Sequence, residues 1–149
     1  MTGRTYPGKG LYPVSTNEST RGQRQAVNYN KLTREEERVI VNKGTEPPFT
    51  GEYDNFYEEG TYVCRRCNHP LFSSKSKFDA GCGWPAFDDC FPDAIKRLAD
   101  PDGMGTEIEC AKCGAHLGHE FTGEQLTAKN TRECVNSLSI RFIPANRHE

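Results

Sequence analysis

The sequence predicts a small, mainly β domain of antiparallel strands, preceded by one short helix and clamped by a four-cysteine zinc site. Three observations carry this expectation. Beyond residue 60 the apolar segments are short and punctuated by Gly, Asn, Asp and Pro. Two of these segments run directly into Cys-x-x-Cys turns, and the one clear helix signal lies before residue 44. A chain of 149 residues suits one core that hides roughly 70% of the surface the unfolded chain exposes.

Taken in order, residues 1–30 mix Gly, Pro, Ser, Thr, Asn and Arg with few apolar residues, a composition that does not offset its own ordering entropy, and they are expected to form a flexible tail. Thr33 and Glu36 form a Thr-x-x-Glu capping box ahead of Val39, Ile40 and Val41, and Gly44 suits the left-handed position beyond a helix end. One helix over 34–42 follows. The prolines of Gly44-Thr-Glu-Pro-Pro-Phe-Thr-Gly51 then keep that stretch extended. Thr61–Cys64 and Thr106–Cys110 read as strands. Leu138, Ile140 and Phe142 alternate with Ser137, Ser139 and Arg141, which predicts a last strand that Cys134 opens.

A formal net charge of −2 and a pI near 6.1 give no electrostatic footprint for nucleic acid. No apolar run approaches the ~20 residues of a membrane span, and the N-terminus lacks the apolar block of an export signal. The expectation is a soluble, cytoplasmic monomer.

Seven cysteines are an odd number for a disulfide framework, and four of them stand in Cys-x-x-Cys pairs. Cys64-Arg-Arg-Cys67 and Cys110-Ala-Lys-Cys113 each converge two thiolates from a tight turn, and together they complete a tetrahedral sulfur shell for Zn2+. With four protein ligands such a metal keeps no open position, so its expected role is to hold the fold. The 42 residues between the pairs exceed what a simple zinc ribbon needs and must carry something else. His69 is close by but superfluous to a complete shell.

The thiols left over are Cys82, Cys90 and Cys134. Cys82 lies in Gly81-Cys-Gly-Trp-Pro85, where glycines allow close backbone approach and Trp84 offers a rigid apolar wall. Cys134 lies in Arg132-Glu-Cys-Val-Asn-Ser137. On a strand, positions 132, 134 and 136 share a face, so Arg132 and Asn136 flank the sulfur, the first lowering its pKa and the second hydrogen-bonding a bound oxygen. Cys90, beside Asp88 and Asp89, belongs to no motif.

These landmarks, with Gly114-Ala-His-Leu-Gly-His-Glu-Phe121, occur in an order that closely resembles the B-type methionine sulfoxide reductases over about residues 30–144. The resemblance implies a catalytic domain over 31–149, built of two antiparallel sheets as a small open barrel-like unit around a shallow site. It implies Cys134 as nucleophile, Trp84 as the wall receiving the substrate methyl group, His119 and Asn136 in the site, and His116 close by at the substrate. It further implies reduction of methionine R-sulfoxide, free or in proteins, through a Cys134 sulfenic acid. Cys82 would then resolve that acid to a disulfide and thioredoxin would restore the thiols. The chain departs from the family pattern at Asp102, at Thr122-Gly-Glu124 where the family has Pro-Asp-Gly, and at Glu133 where an aromatic residue is usual. On the residues alone, two other classes fit: a zinc-ribbon interaction module indifferent to Cys134, and a thiol peroxidase that prefers hydrogen peroxide.

Overall fold

The computed structural model describes residues 28–99 and 105–145. Most of the expected tail and the departure at Asp102 lie outside the described residues. Asn30, at the end of that tail, is held to the domain, its backbone N–H donating to Arg66 O at 2.7 Å and its side-chain amide to Arg65 O at 2.8 Å.

Helix α1 spans Arg34–Ile40 and starts where the capping box predicts, with both reciprocal bonds made between Thr33 and Glu36; such caps contribute ~1 kcal/mol. Val39 and Ile40 are its buried face. The left-handed residue after the helix is Lys43 (φ 60°) and not Gly44 as the sequence suggests. Gly44 is needed for a different reason: a Cβ there would stand 2.9 Å from the Arg38 carbonyl oxygen. The chain stays extended to residue 47 and then turns at Phe49, itself at φ 67°.

Among the described residues nine strands follow: β1 Gly60–Cys64, β2 Pro70–Ser73, β3 Lys77–Phe78, β4 Ala86–Phe87, β5 Ile95–Ala99, β6 Thr106–Cys110, β7 His116–Thr122, β8 Thr131–Val135 and β9 Ile140–Pro144. They form two antiparallel sheets, one in the order β2-β1-β9 and one in the order β3-β4-β8-β7-β6-β5, and neither closes into a barrel. Both sheets contribute to one core. Phe72 of β2 stacks on Phe87 of β4 at 4.4 Å between ring centroids, and Tyr62 of β1 meets Phe87 edge-on at 5.1 Å. All three rings are fully buried, each stabilising by ~1.5–3 kcal/mol.

The last strand differs from its sequence expectation. Ser137–Ser139 form a single 3-10 turn, so Cys134 sits on β8 in the larger sheet while Ile140 and Phe142 belong to β9 in the smaller one. The alternation of Leu138, Ile140 and Phe142 is broken because the Glu46 carboxylate takes the Ser137 and Leu138 N–H groups at 2.9 and 3.0 Å, removing two donors that a sheet ladder would use. That turn is where the chain crosses between sheets. Among the described residues no helix is long and apolar enough to cross a membrane.

Candidate active site

Cys134 lies on β8 between two neighbours, directly opposite Ala86 of β4 and His119 of β7. Its sulfur opens into a cleft of about 290 Å³ whose walls include Cys82, Trp84, His119, Arg132 and Asn136. Six residues separated in sequence by up to 54 positions thus line one cleft. Gly118 makes the floor possible, because a Cβ there would run into the Cys134 carbonyl. Thr45 and Phe121, to which the sequence assigned no role, also line the cleft; both fall in stretches that carry the family resemblance, 44–51 and 114–121, but neither side chain brings a chemistry that singles it out.

The Cys82 and Cys134 sulfurs stand 4.0 Å apart. Glycines at positive φ, Gly81 (68°) and Gly83 (95°), fold the turn that carries Cys82 toward β8. Proximity makes the thiols share a proton. The Cys82 thiol is drawn down to about 6, first by its bond with Cys134 and further by Arg132. The Cys134 thiol is pushed up by the same bond and by burial, and the lowering effect of Arg132 is outweighed. The Cys82 Sγ also lies 3.3 Å from Trp84 O, a carbonyl that accepts its S–H when the thiol is protonated.

Arg132 is itself engaged, its guanidinium bonded at 2.8 and 3.0 Å to both oxygens of Glu124 and lying 4.4 Å over the Phe121 ring. Glu124 belongs to the Thr122-Gly-Glu124 departure noted above and orients the arginine. Asn136 is 3% exposed; its Oδ1 accepts from Glu46 N–H at 3.1 Å and its Nδ2 donates to Leu117 O at 3.1 Å. One N–H of that amide remains for a ligand.

His116, expected at the substrate, is not among the lining residues and stands a layer behind His119, the two rings edge to face at 5.9 Å. Its Nδ1 lies 2.9 Å from Glu107 Oε2, and Lys43 Nζ meets the same glutamate at 3.2 Å. Burial lowers the His116 pKa against the pull of Glu107, so the ring is neutral near pH 7 and donates to the carboxylate. Glu133 points away from Cys134, as alternation on a strand requires. It is 1% exposed, faces Glu120 across the β7–β8 pair and has Arg97 at 3.6 Å. Cys90 shares this rear side, its thiol raised by burial and by Glu133.

Away from the cleft, the sulfurs of Cys64, Cys67, Cys110 and Cys113 all lie within 4.8 Å of one another. The Cys64–Cys113 and Cys67–Cys110 pairs are each 3.6 Å apart, close to the ~3.8 Å edge of a tetrahedron with metal–sulfur bonds of ~2.3 Å. The donor set and spacing fit a metal ion. His69 stays outside the cluster, its Nε2 3.0 Å from Asp93 O.

Residues 32–144 match the SelR domain family. The chain belongs to this family, that of the methionine sulfoxide reductases B. It is 54% identical over 116 residues to peptide methionine sulfoxide reductase B5 of Oryza sativa subsp. japonica, covering 77% of this chain and 85% of that protein. It is 56% identical over 115 residues to peptide methionine sulfoxide reductase B3 of Arabidopsis thaliana, covering 76% of this chain and 65% of that one. The chloroplastic rice protein B3 is 54% identical over 116 residues, and the match spans about half of its length, 51%. For this SelR domain the matched region contains the whole cleft and all four clustered cysteines.

Proposed function

We propose that this chain is an oxidoreductase that reduces the R epimer of methionine sulfoxide, free or in proteins, to methionine. The observation that carries the reading is the pair of sulfurs 4.0 Å apart in a cleft walled by Trp84, within a SelR domain. The Trp84 indole, fixed by its Nε1–H donating to Glu46 O at 2.9 Å, receives the substrate methyl group. The free N–H of Asn136 holds the sulfoxide oxygen. On attack the Cys134 proton passes to Cys82. The Cys134 thiolate takes the oxygen, His119 supplies one proton, and the products are methionine and the Cys134 sulfenic acid. The Cys82 thiol then condenses with that acid, releasing water and forming the disulfide. A dithiol such as thioredoxin exchanges with it, becoming oxidised as both thiols return.

Zinc is the metal the four thiolates suit; bound there it joins the turns after β1 and β6 and leaves no open position for chemistry. Free redox thiols beside a thiolate metal site suit a reducing compartment such as the cytoplasm. Turnover of separated R and S epimers with dithiothreitol, with hydrogen peroxide as a third substrate, tests the reading. Consumption of the R epimer alone is expected. Faster loss of peroxide, or equal use of both epimers, would overturn it.

A further inference from the structure

Within residues 44–51 one side chain is buried, and it is a carboxylic acid: Glu46, 2% exposed. A carboxylate tolerates that environment only when its oxygens are hydrogen-bonded. Those of Glu46 accept the Ser137 and Leu138 N–H groups at 2.9 and 3.0 Å, in the turn immediately after the nucleophile strand. Its main chain is equally committed. The Glu46 N–H donates to Asn136 Oδ1 at 3.1 Å, and the Glu46 carbonyl accepts the Trp84 indole N–H at 2.9 Å. Three residues on, Phe49 N–H donates to Gly83 O at 2.7 Å, between Cys82 and Trp84. The loop of Glu46 is therefore hydrogen-bonded on one side to the Cys82–Trp84 turn and on the other to the chain leaving Cys134.

We propose that Glu46 is a positioning residue that sets the spacing of the two redox sulfurs and the orientation of Trp84 and Asn136 around the substrate. This rests on the sulfoxide reductase reading above. The sulfurs must close from 4.0 Å to the ~2.05 Å of a disulfide. The bond forms as the sulfenic hydroxyl leaves with the Cys82 proton as water, so no further reactant is required. Only a small displacement of the Cys82 turn is compatible with Trp84 keeping its bond to Glu46. The Glu46 carboxylate anchors the loop that carries that bond, and so limits how far the turn wanders from β8.

Glu46→Gln tests this in the full-length, zinc-loaded protein. The substitution keeps shape but replaces one of the two acceptor oxygens with an NH2 that faces the Ser137 or Leu138 N–H, so one of these donors loses its acceptor. Five readouts apply: zinc content, methionine released in a single turnover, the KM for the sulfoxide with dithiothreitol as reductant, the rate at which the Cys82–Cys134 disulfide appears by mass spectrometry, and the emission of Trp84. That emission is unambiguous because the chain has one tryptophan. The expected result is a folded, zinc-bound variant with red-shifted emission, a raised KM for the sulfoxide and disulfide formation slowed about tenfold or more. A folded variant with wild-type emission and rates overturns the proposal. Should the glutamine variant lose zinc, Glu46→Asp, which keeps both oxygens one methylene short, is read in its place: partial slowing supports the assignment and wild-type rates overturn it. A wild type that yields no methionine would instead remove the reductase reading, while failure of positioning leaves wild-type turnover intact and the variants equal to it.

Discussion

Glu133→Gln should stabilise the domain, and increasingly so as the pH rises. Glu133 is 1% exposed, its Oε1 has no hydrogen-bond partner, and it faces Glu120 across the β7–β8 pair. Burial first, and the proton it shares with Glu120 second, raise its pKa from 4.5 to about 9. Since the folded value is raised above the unfolded one, the contribution to stability is fully present below pH 4.5 and is lost as the pH climbs toward 9. At ~1.4 kcal/mol per pH unit, the loss at pH 7.5 has a ceiling of ~4 kcal/mol. Arg97, 3.6 Å away, offsets part of it, and a working value is ~2 kcal/mol. The glutamine removes the charge and offers Glu120 a donor. For a domain of this size the gain corresponds to ~4–8 °C in Tm at pH 7.5, shrinking to nearly nothing at pH 4.5. Thermal unfolding of the zinc-loaded wild type and variant from pH 4.5 to 9 measures the difference. Parallel curves, or a variant that is less stable at pH 8, would refute the argument that Glu133 is a buried, titrating acid.

Three further outcomes follow from the two sulfur sites. Purified protein should hold one zinc, and Cys110→Ser should lose both metal and cooperative unfolding, because structural zinc contributes ~10–16 kcal/mol of apparent folding energy; metal analysis beside circular dichroism checks this, and a metal-free yet folded wild type contradicts it. Cys134→Ser should abolish reduction with any reductant, since an alcohol is a far poorer nucleophile than a thiolate; activity near wild type would move the nucleophile elsewhere. Cys82→Ser should still release about one methionine per enzyme yet stall with thioredoxin, while dithiothreitol reaches the sulfenic acid directly. If Cys90→Ser is the variant that stalls, the resolving role belongs to the thiol behind the sheet.

The sequence alone determined the chemistry-bearing parts and the local elements. The capping box starts α1 because both of its partners lie within one turn, and the strands entering the Cys-x-x-Cys turns are legible because their alternation and glycines are local signals. The motif order was enough to indicate the family. What the tertiary structure decided is what distant groups do to one another. Leu138 to Phe142 has the period of a strand, yet Glu46, 92 positions from Leu138, captures its N–H and turns the chain between sheets. Arg132 was legible as a neighbour of Cys134, but Glu124 binds its guanidinium, and the sulfur of Cys82, 52 positions away, outweighs it in setting where the thiol proton rests. Glu133 reads in sequence as a charge beside the nucleophile; its burial against Glu120 on the opposite face depends on how β7 pairs with β8. Hydrogen-bond competition and desolvation act through space, and they depend on a packing that no local pattern encodes.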